Sequence, residues 1–146
     1  MKNWSRSRIF TMEQEILLST NWNLCFTSAL TYLHRYTTID KSSPKHICLA
    51  RYFTEECLLT YKMTRYSQHV IACSAIYLAN KLNEKQIAWS DALQSASLLS
   101  ERHLQSCARV MCRHLQKVKK SNHLTAVRRK FSREEFYCVA QLPEVA

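Results

Sequence analysis

The sequence predicts an all-α fold, a bundle of helices around one central, buried helix. The chain of 146 residues contains no glycine, and glycine supplies the positive-φ positions of hairpin turns and nucleotide-binding loops. Apolar residues recur at helical spacing along most of the chain, between short polar connections. In residues 68–82 they cover nearly the whole circumference of a helix, so this helix is expected at the centre of the bundle.

The N-terminal part of the chain is expected to form two helices. A short helix is predicted over residues 11–20, with Glu13 in its first turn, where an acid suits the helix dipole. The connector that follows contains Trp22 and Leu24, which are expected either to anchor the chain to the core or to face a partner. A second helix is predicted over residues 26–40.

The third and fourth helices have the clearest local signals. Ser43 is a favourable N-cap and Pro44 fits the first helical position, so a helix is predicted over residues 44–61. A break at residues 63–67 leads into the apolar helix of residues 68–82. The most apolar helix therefore follows a capped amphipathic one.

The C-terminal half is predicted to contain one long helix between shorter ones. Residues 89–99 favour a short amphipathic helix, residues 101–118 a long helix with an apolar stripe, and residues 123–130 a shorter helix. Residues 132–135 match a capping box that would open a final turn through Tyr137. The predicted order is a short lead helix followed by five or more helices.

Composition limits the function and the location of the protein. Lys and Arg number 21 against 11 Asp and Glu, a net charge of +10, which favours acidic partners or polyanions. The seven cysteines are odd in number and form no Cys-x-x-Cys pair, so a reduced intracellular protein is expected. Because no signal peptide is apparent and no apolar run approaches the roughly 20 residues that span a bilayer, we expect a soluble protein of the nucleus and cytoplasm.

No catalytic or metal site is predicted. Cys107, Cys112 and His114 are spread around one helix by their spacing, whereas zinc needs four convergent ligands, so core cysteines are expected. The sequence contains no nucleophile elbow and no glycine-built oxyanion loop. We therefore expect no enzyme, no cofactor, no small-molecule substrate and no membrane partner.

In residues 49–59 a Leu-Ala pair precedes an aromatic residue, a Glu and a run of leucines. This order resembles the first helix of the C-terminal cyclin box in the mitotic, A- and B-type cyclins. Residues 66–79 are similar to the family's Pro-Ser-x-Ile-Ala-x-x-Ala-x-x-Leu-Ala helix, although Tyr66 stands at the usual proline. Residues 126–131 look like the closing Val-x-x-Lys-Tyr segment, and residues 12–24 resemble the last helix of the N-terminal cyclin box and its exit.

The resemblance implies a domain organisation. Residues 1–25 would hold a basic tail and the last helix of an N-terminal cyclin box, and residues 26–142 would form the C-terminal cyclin-box domain, a five-helix bundle around a central helix. The Met-Arg-Ala-Ile-Leu substrate-docking motif of the family's first box does not precede Met12. Two interpretations follow, a fragment of a cyclin or a cyclin that has lost its first box.

The resemblance also implies a partner. Cyclins bind a cyclin-dependent protein kinase in cell-cycle control, packing against its regulatory helix and activation segment and selecting their active arrangement without catalysis. In the family, the matching Met-Glu pair and the aromatic-x-Leu exit lie at or near the kinase surface. The kinase-contact role is therefore carried over to Glu13, Trp22 and Leu24.

A basic cluster supports an alternative function. Its members are Lys117, Lys119, Lys120, Arg128, Arg129 and Lys130. Such a cluster is typical of a solvated rim or of part of a nuclear-import signal, and it also fits a helical module that binds DNA phosphates or a scaffold. The cyclin-like repeats of general transcription factor IIB are an example of the latter.

Overall fold

Helices form the regular structure of this chain, for which a computed structural model describes residues 5–83, 85–119 and 123–142. The α-helices of these residues are α1 (Arg6–Ser19), α2 (Ala29–Ile39), α3 (Pro44–Cys57), α4 (Gln68–Leu82), α5 (Asp91–Ser97), α6 (Glu101–Lys119) and α7 (Ala126–Phe131). Short 3-10 turns occupy Tyr61–Arg65, Glu134–Phe136 and Val139–Gln141. No strand occurs in the described ranges, and the predicted all-α class is confirmed.

Serine hydroxyls start five of the helices. Each hydroxyl oxygen accepts a hydrogen bond from the backbone N–H three residues later, at Ser5, Ser28, Ser43, Ser67 and Ser90. A cap of this kind stabilises a helix by about 1 kcal/mol because it satisfies a backbone donor that has no partner within the helix. The predicted start of α3, with Ser43 as cap and Pro44 in the first turn, is confirmed.

The core is built around α4. Ten consecutive residues of this helix, 71–80, are buried, and α4 packs against α2, α3 and α6. Ala72, Ala75 and Ala79 are fully buried at helical spacing, so the neighbouring helices can approach the α4 backbone closely. Burial of a side chain such as Ile76 is worth roughly 1.5–3 kcal/mol. The predicted central helix is confirmed.

Several predicted boundaries are wrong, including those of two short helices, since α5 spans Asp91–Ser97 and α7 spans Ala126–Phe131. α1 begins at Arg6, capped by Ser5, so Glu13 lies in the middle of the helix and not in its first turn. α2 begins at Ala29, and α3 ends at Cys57, whereas its predicted end, Tyr61, is the first residue of a 3-10 turn. The predicted capping box at residues 132–135 does not form, because the Ser132 hydroxyl donates instead to the Arg128 carbonyl oxygen at 2.9 Å.

The seven cysteines are free thiols. Cys57, Cys73 and Cys107 are buried, and burial raises the pKa of the Cys73 thiol to about 12 and that of Cys107 to about 11. Since the thiolate is the reactive form, these side chains behave as small apolar core residues. Within the described ranges, no three His, Cys, Asp or Glu side chains are grouped so that they could hold a metal ion.

Among the described residues, no helix combines the length and the apolar character that crossing a bilayer requires.

Because the chain has no glycine, other residues occupy its left-handed backbone positions. Leu98 ends α5 with φ 59 and is 87% exposed. A β-carbon in this conformation costs roughly 1–2 kcal/mol, and glycine avoids that cost at a smaller entropic one. We expect Leu98→Gly to raise the free energy of unfolding by up to about 1 kcal/mol in urea titrations.

The matched control is Leu58, an exposed leucine that ends α3 in the right-handed conformation, with φ −67. Glycine relieves nothing there, so Leu58→Gly should lower the free energy of unfolding by roughly 0.5–1 kcal/mol. Equal effects of the two substitutions would contradict this explanation.

Candidate partner-binding site

Apolar side chains of α1 and of the connector after it are exposed. We call them the α1–connector surface: Ile9, Phe10, Met12, Ile16, Leu18, Trp22, Leu24 and Phe26. α1 buries none of its residues and contributes none to the core. Single exposed apolar residues are common, but a dense series of them marks an interaction site. No other described residue of the chain buries these side chains.

Glu13 lies beside a shallow apolar groove on α1. The groove has a volume of about 310 Å³, and Ile9, Met12, Ile16 and Leu17 line it together with Glu13. The dipole explanation for this acid fails, because the first turn of α1 contains no acidic residue and Glu13 is mid-helix. Among the described residues, none of the ion pairs involves Glu13. Its carboxylate is therefore available to a basic group of a partner.

Trp22 and Leu24 project from a tight turn at the end of α1. Backbone hydrogen bonds hold this turn, from the Trp22 N–H to the Leu17 carbonyl at 2.9 Å and from the Leu24 N–H to the Trp22 carbonyl at 3.0 Å. Asn21 and Trp22 both have positive φ, 49 and 57. Trp22 is 65% exposed and Leu24 58%. The expectation that they anchor the connector to the core is wrong, and the expectation that they face a partner stays a prediction.

The predicted basic cluster is divided by the fold. Lys130 Nζ lies 2.7 and 2.8 Å from the two carboxylate oxygens of Glu55 and over the rings of Phe131 and Phe136. This lysine therefore holds α7 against α3, a role that its sequence context gave no sign of, since Glu55 is 75 positions away.

The other members of the cluster differ in exposure. Lys117, Lys119 and Arg129 are exposed, whereas Arg128 is half-buried, and its charge acts to lower the pKa of the nearby Glu56. Lys120 lies outside the described residues. Fewer basic side chains of the cluster are therefore exposed and unpaired than the sequence predicts.

One buried acidic residue, Glu56, is not evident from the sequence. Glu56 is fully buried in α3, neither of its oxygens has a hydrogen-bond partner among the described residues, and His114 Nε2 lies 3.5 Å away. Burial raises the pKa of the Glu56 carboxyl to about 7, against the opposing effect of Arg128. Burial also lowers the pKa of His114. Burial therefore disfavours the charged form of both groups.

Comparison with known proteins identifies the family. The sequence pattern of the cyclin C-terminal domain matches residues 27–145. The chain belongs to the cyclin family. The match includes α2 to α7, which form the bundle around α4.

Curated relatives of this cyclin domain include A- and B-type cyclins. Cyclin-B2-2 of Arabidopsis thaliana is 29% identical over 145 residues, which cover 99% of this chain and 34% of that protein. Cyclin-A3-4 of the same plant is 28% identical, with 96% and 39% covered. The G2/mitotic-specific cyclin-B3 of Caenorhabditis elegans is 26% identical, with 96% and 37% covered. The chain spans between 34% and 39% of the length of these three relatives.

Cyclin membership leaves the individual site residues as predictions. The family pattern begins at residue 27, after Glu13, Trp22 and Leu24, so their contact role depends on the exposure described above. The predicted domain division between residues 25 and 26 also stays a prediction.

Proposed function

We propose that this cyclin domain is a regulatory protein that binds a cyclin-dependent protein kinase through the α1–connector surface, in cell-cycle control, and that it catalyses no reaction itself. The observation that carries the proposal is the exposed apolar surface of α1 and the connector. The residues of this surface take no part in the hydrophobic core, which the other helices form. A cyclin domain with an uncovered apolar surface has a physical reason to associate with a partner.

Trp22 and Leu24 supply most of the expected binding energy. Buried aromatic residues are the commonest hot spots of protein interfaces. Burial of each of these side chains is worth roughly 1.5–3 kcal/mol. Backbone hydrogen bonds already hold the turn that carries them, so little ordering is needed on binding.

Glu13 adds orientation to this contact. An acid at the edge of an apolar groove pairs with a basic side chain only when the partner docks in one register. The chain is otherwise strongly basic, with a net charge of +10. A carboxylate on the binding surface therefore adds a local negative charge to a basic molecule.

Binding acts on the kinase by differential affinity. A regulatory domain that contacts the active arrangement of a kinase better than the inactive one shifts the kinase toward the active arrangement. A tenfold difference in affinity corresponds to about 1.4 kcal/mol, which is within reach of one buried Trp side chain.

Binding of the chain to a panel of purified cyclin-dependent kinases tests the proposal. We expect Trp22→Ala to weaken binding by about thirtyfold, the effect of a typical hot spot. Tyr61→Ala is the matched control, since Tyr61 is also an exposed aromatic residue but lies outside the α1–connector surface, and it should change affinity less than about twofold. Unchanged affinity of Trp22→Ala, or no binding to any kinase of the panel, would refute the proposal.

A second candidate function is nucleic-acid binding, which the exposed Lys119 and Arg129 and the net charge favour. Binding to duplex DNA should then fall steeply with salt, and Lys119→Gln with Arg129→Gln should reduce the salt dependence. Lys45→Gln with Arg102→Gln removes the same charge from two exposed positions outside the cluster. Equal weakening by both pairs would indicate only non-specific attraction.

A further inference from the structure

A groove between the 3-10 turn Tyr61–Arg65 and the C-terminal half of α6 contains four cationic side chains. Lys62 and Arg65 come from the turn, and Arg113 and Lys117 come from α6. The groove has a volume of about 480 Å³, and His114 also lines it. We call these four cations and the space between them the basic groove. Two separate elements thus direct positive charge to one concave site, which the order of residues in the sequence does not reveal.

The positive charge of the basic groove is not neutralised by the rest of the described chain. The ion pairs of the described residues use other basic side chains, at positions 51, 81, 85, 114, 130 and 133. All four groove cations are exposed, and Arg65 lies 5.2 Å from the ring centroid of Tyr66. Like charges held close together favour an anion between them.

A buried acid contacts one of the residues that line the groove. Glu56 contacts His114 at 3.5 Å and has no hydrogen-bond partner among the described residues. Since burial raises its pKa to about 7, the carboxyl cancels only part of the positive charge at neutral pH. An anion in the groove would face four cations and the His114 imidazole, which also lines it.

We propose that the basic groove binds a phosphorylated serine or threonine side chain of a partner protein. Arginine guanidinium groups form paired hydrogen bonds with phosphate oxygens, and lysine adds charge without fixed direction. The concave shape fits one phosphorylated side chain with its neighbours, whereas nucleic acids present a long row of phosphates that a positive stripe matches better. This site uses none of the α1–connector residues and goes beyond the proposed kinase contact.

Two degenerate peptide libraries test the site on the full chain. One has a central phosphoserine or phosphothreonine, and the other has the same flanking positions without phosphate. We expect the chain to retain the phosphorylated library in clear preference to the other one. Lys62→Gln with Lys117→Gln, one from each wall of the groove, should reduce retention by about tenfold, because the change removes two of the four positive charges that a phosphate would contact.

Lys45→Gln with Arg102→Gln is the matched control, because it removes the same charge from exposed positions away from the groove. It should preserve retention within about twofold, and both pairs should unfold at the wild-type temperature. No preference for the phosphorylated library, or equal losses with both pairs, would overturn the proposal. Retention of duplex DNA that the groove variant weakens, without phosphopeptide retention, would overturn it in favour of a nucleic-acid site. None of these measurements involves a kinase, so the kinase proposal stands or falls separately.

Discussion

Phe131→Ala is expected to lower the free energy of unfolding by about 3–5 kcal/mol, as large core deletions do. Phe131 is fully buried at the end of α7, with its ring centroid 5.4 Å from that of Tyr52 and 5.0 Å from that of Phe136. These aromatic contacts join α7 to α3 and to the C-terminal turn. The loss in stability combines the favourable burial free energy of the removed ring with the cost of the cavity that it leaves. Urea titrations measure this loss as a lower free energy of unfolding.

Phe26→Ala is the matched control for this change. Phe26 is 78% exposed and contributes nothing to the core, so its replacement should alter the free energy of unfolding by less than about 0.5 kcal/mol. A loss below about 1 kcal/mol for Phe131→Ala, or similar losses for both, would show that the packing of α7 is described wrongly.

Glu56→Gln is expected to stabilise the protein in alkaline solution. The folded state holds the pKa of Glu56 at about 7, above its ordinary value of 4.5, so between these pH values the folded state binds more protons than the unfolded one. Stability of the natural protein therefore falls as the pH rises from about 4.5 to about 7, and then levels off. Glutamine cannot ionise, and the variant should be more stable by about 3 kcal/mol at pH 8.

Unfolding measured at pH 4 and at pH 8 tests this prediction. At pH 4 the two proteins should differ little, because glutamine resembles the protonated acid in shape and His114, Arg128 and Glu55 surround it in both. Glu134→Gln, at an exposed position, should change stability by less than about 0.5 kcal/mol at either pH. A constant difference between Glu56→Gln and the natural protein at both pH values would refute the assignment.

Local signals in the sequence predicted the main features of the fold. The apolar circumference of residues 68–82 identified α4 as the buried helix, and Ser43 with Pro44 marked the start of α3. Both depend on residues that are neighbours in the chain. Patterns of this kind remain valid in the folded protein because helix periodicity and capping are local properties.

Features that depend on distant residues could not be predicted. Glu55 and Lys130 form their ion pair across 75 positions, and the basic groove brings Lys62 next to Lys117 only through the packing of α6. Glu56 is an acid next to Cys57 in α3, and acids are rarely fully buried, so no local signal indicated its burial.

The start of α1 was missed for a different reason. Its first residues, Arg6 to Phe10, form a helix with no buried residue, and an amphipathic pattern cannot identify a helix whose apolar residues have no core to face. For the same reason the sequence could not show whether the connector packs on the core or faces a partner. The exposure of Trp22 depends on the conformation of the turn after α1, which the sequence does not specify.

The central claim is that α4 forms the centre of the core and that α1 and the connector bind a partner. Hydrogen exchange of the chain, alone and with a cyclin-dependent kinase, tests this claim most directly. In the free chain, α4 amides should exchange slowest and those of α1 fast, since α1 buries no residue. Added kinase should slow exchange in α1 and around Trp22. Protection of α1 equal to that of α4 in the free chain, or kinase-induced protection confined to other helices, would contradict the account.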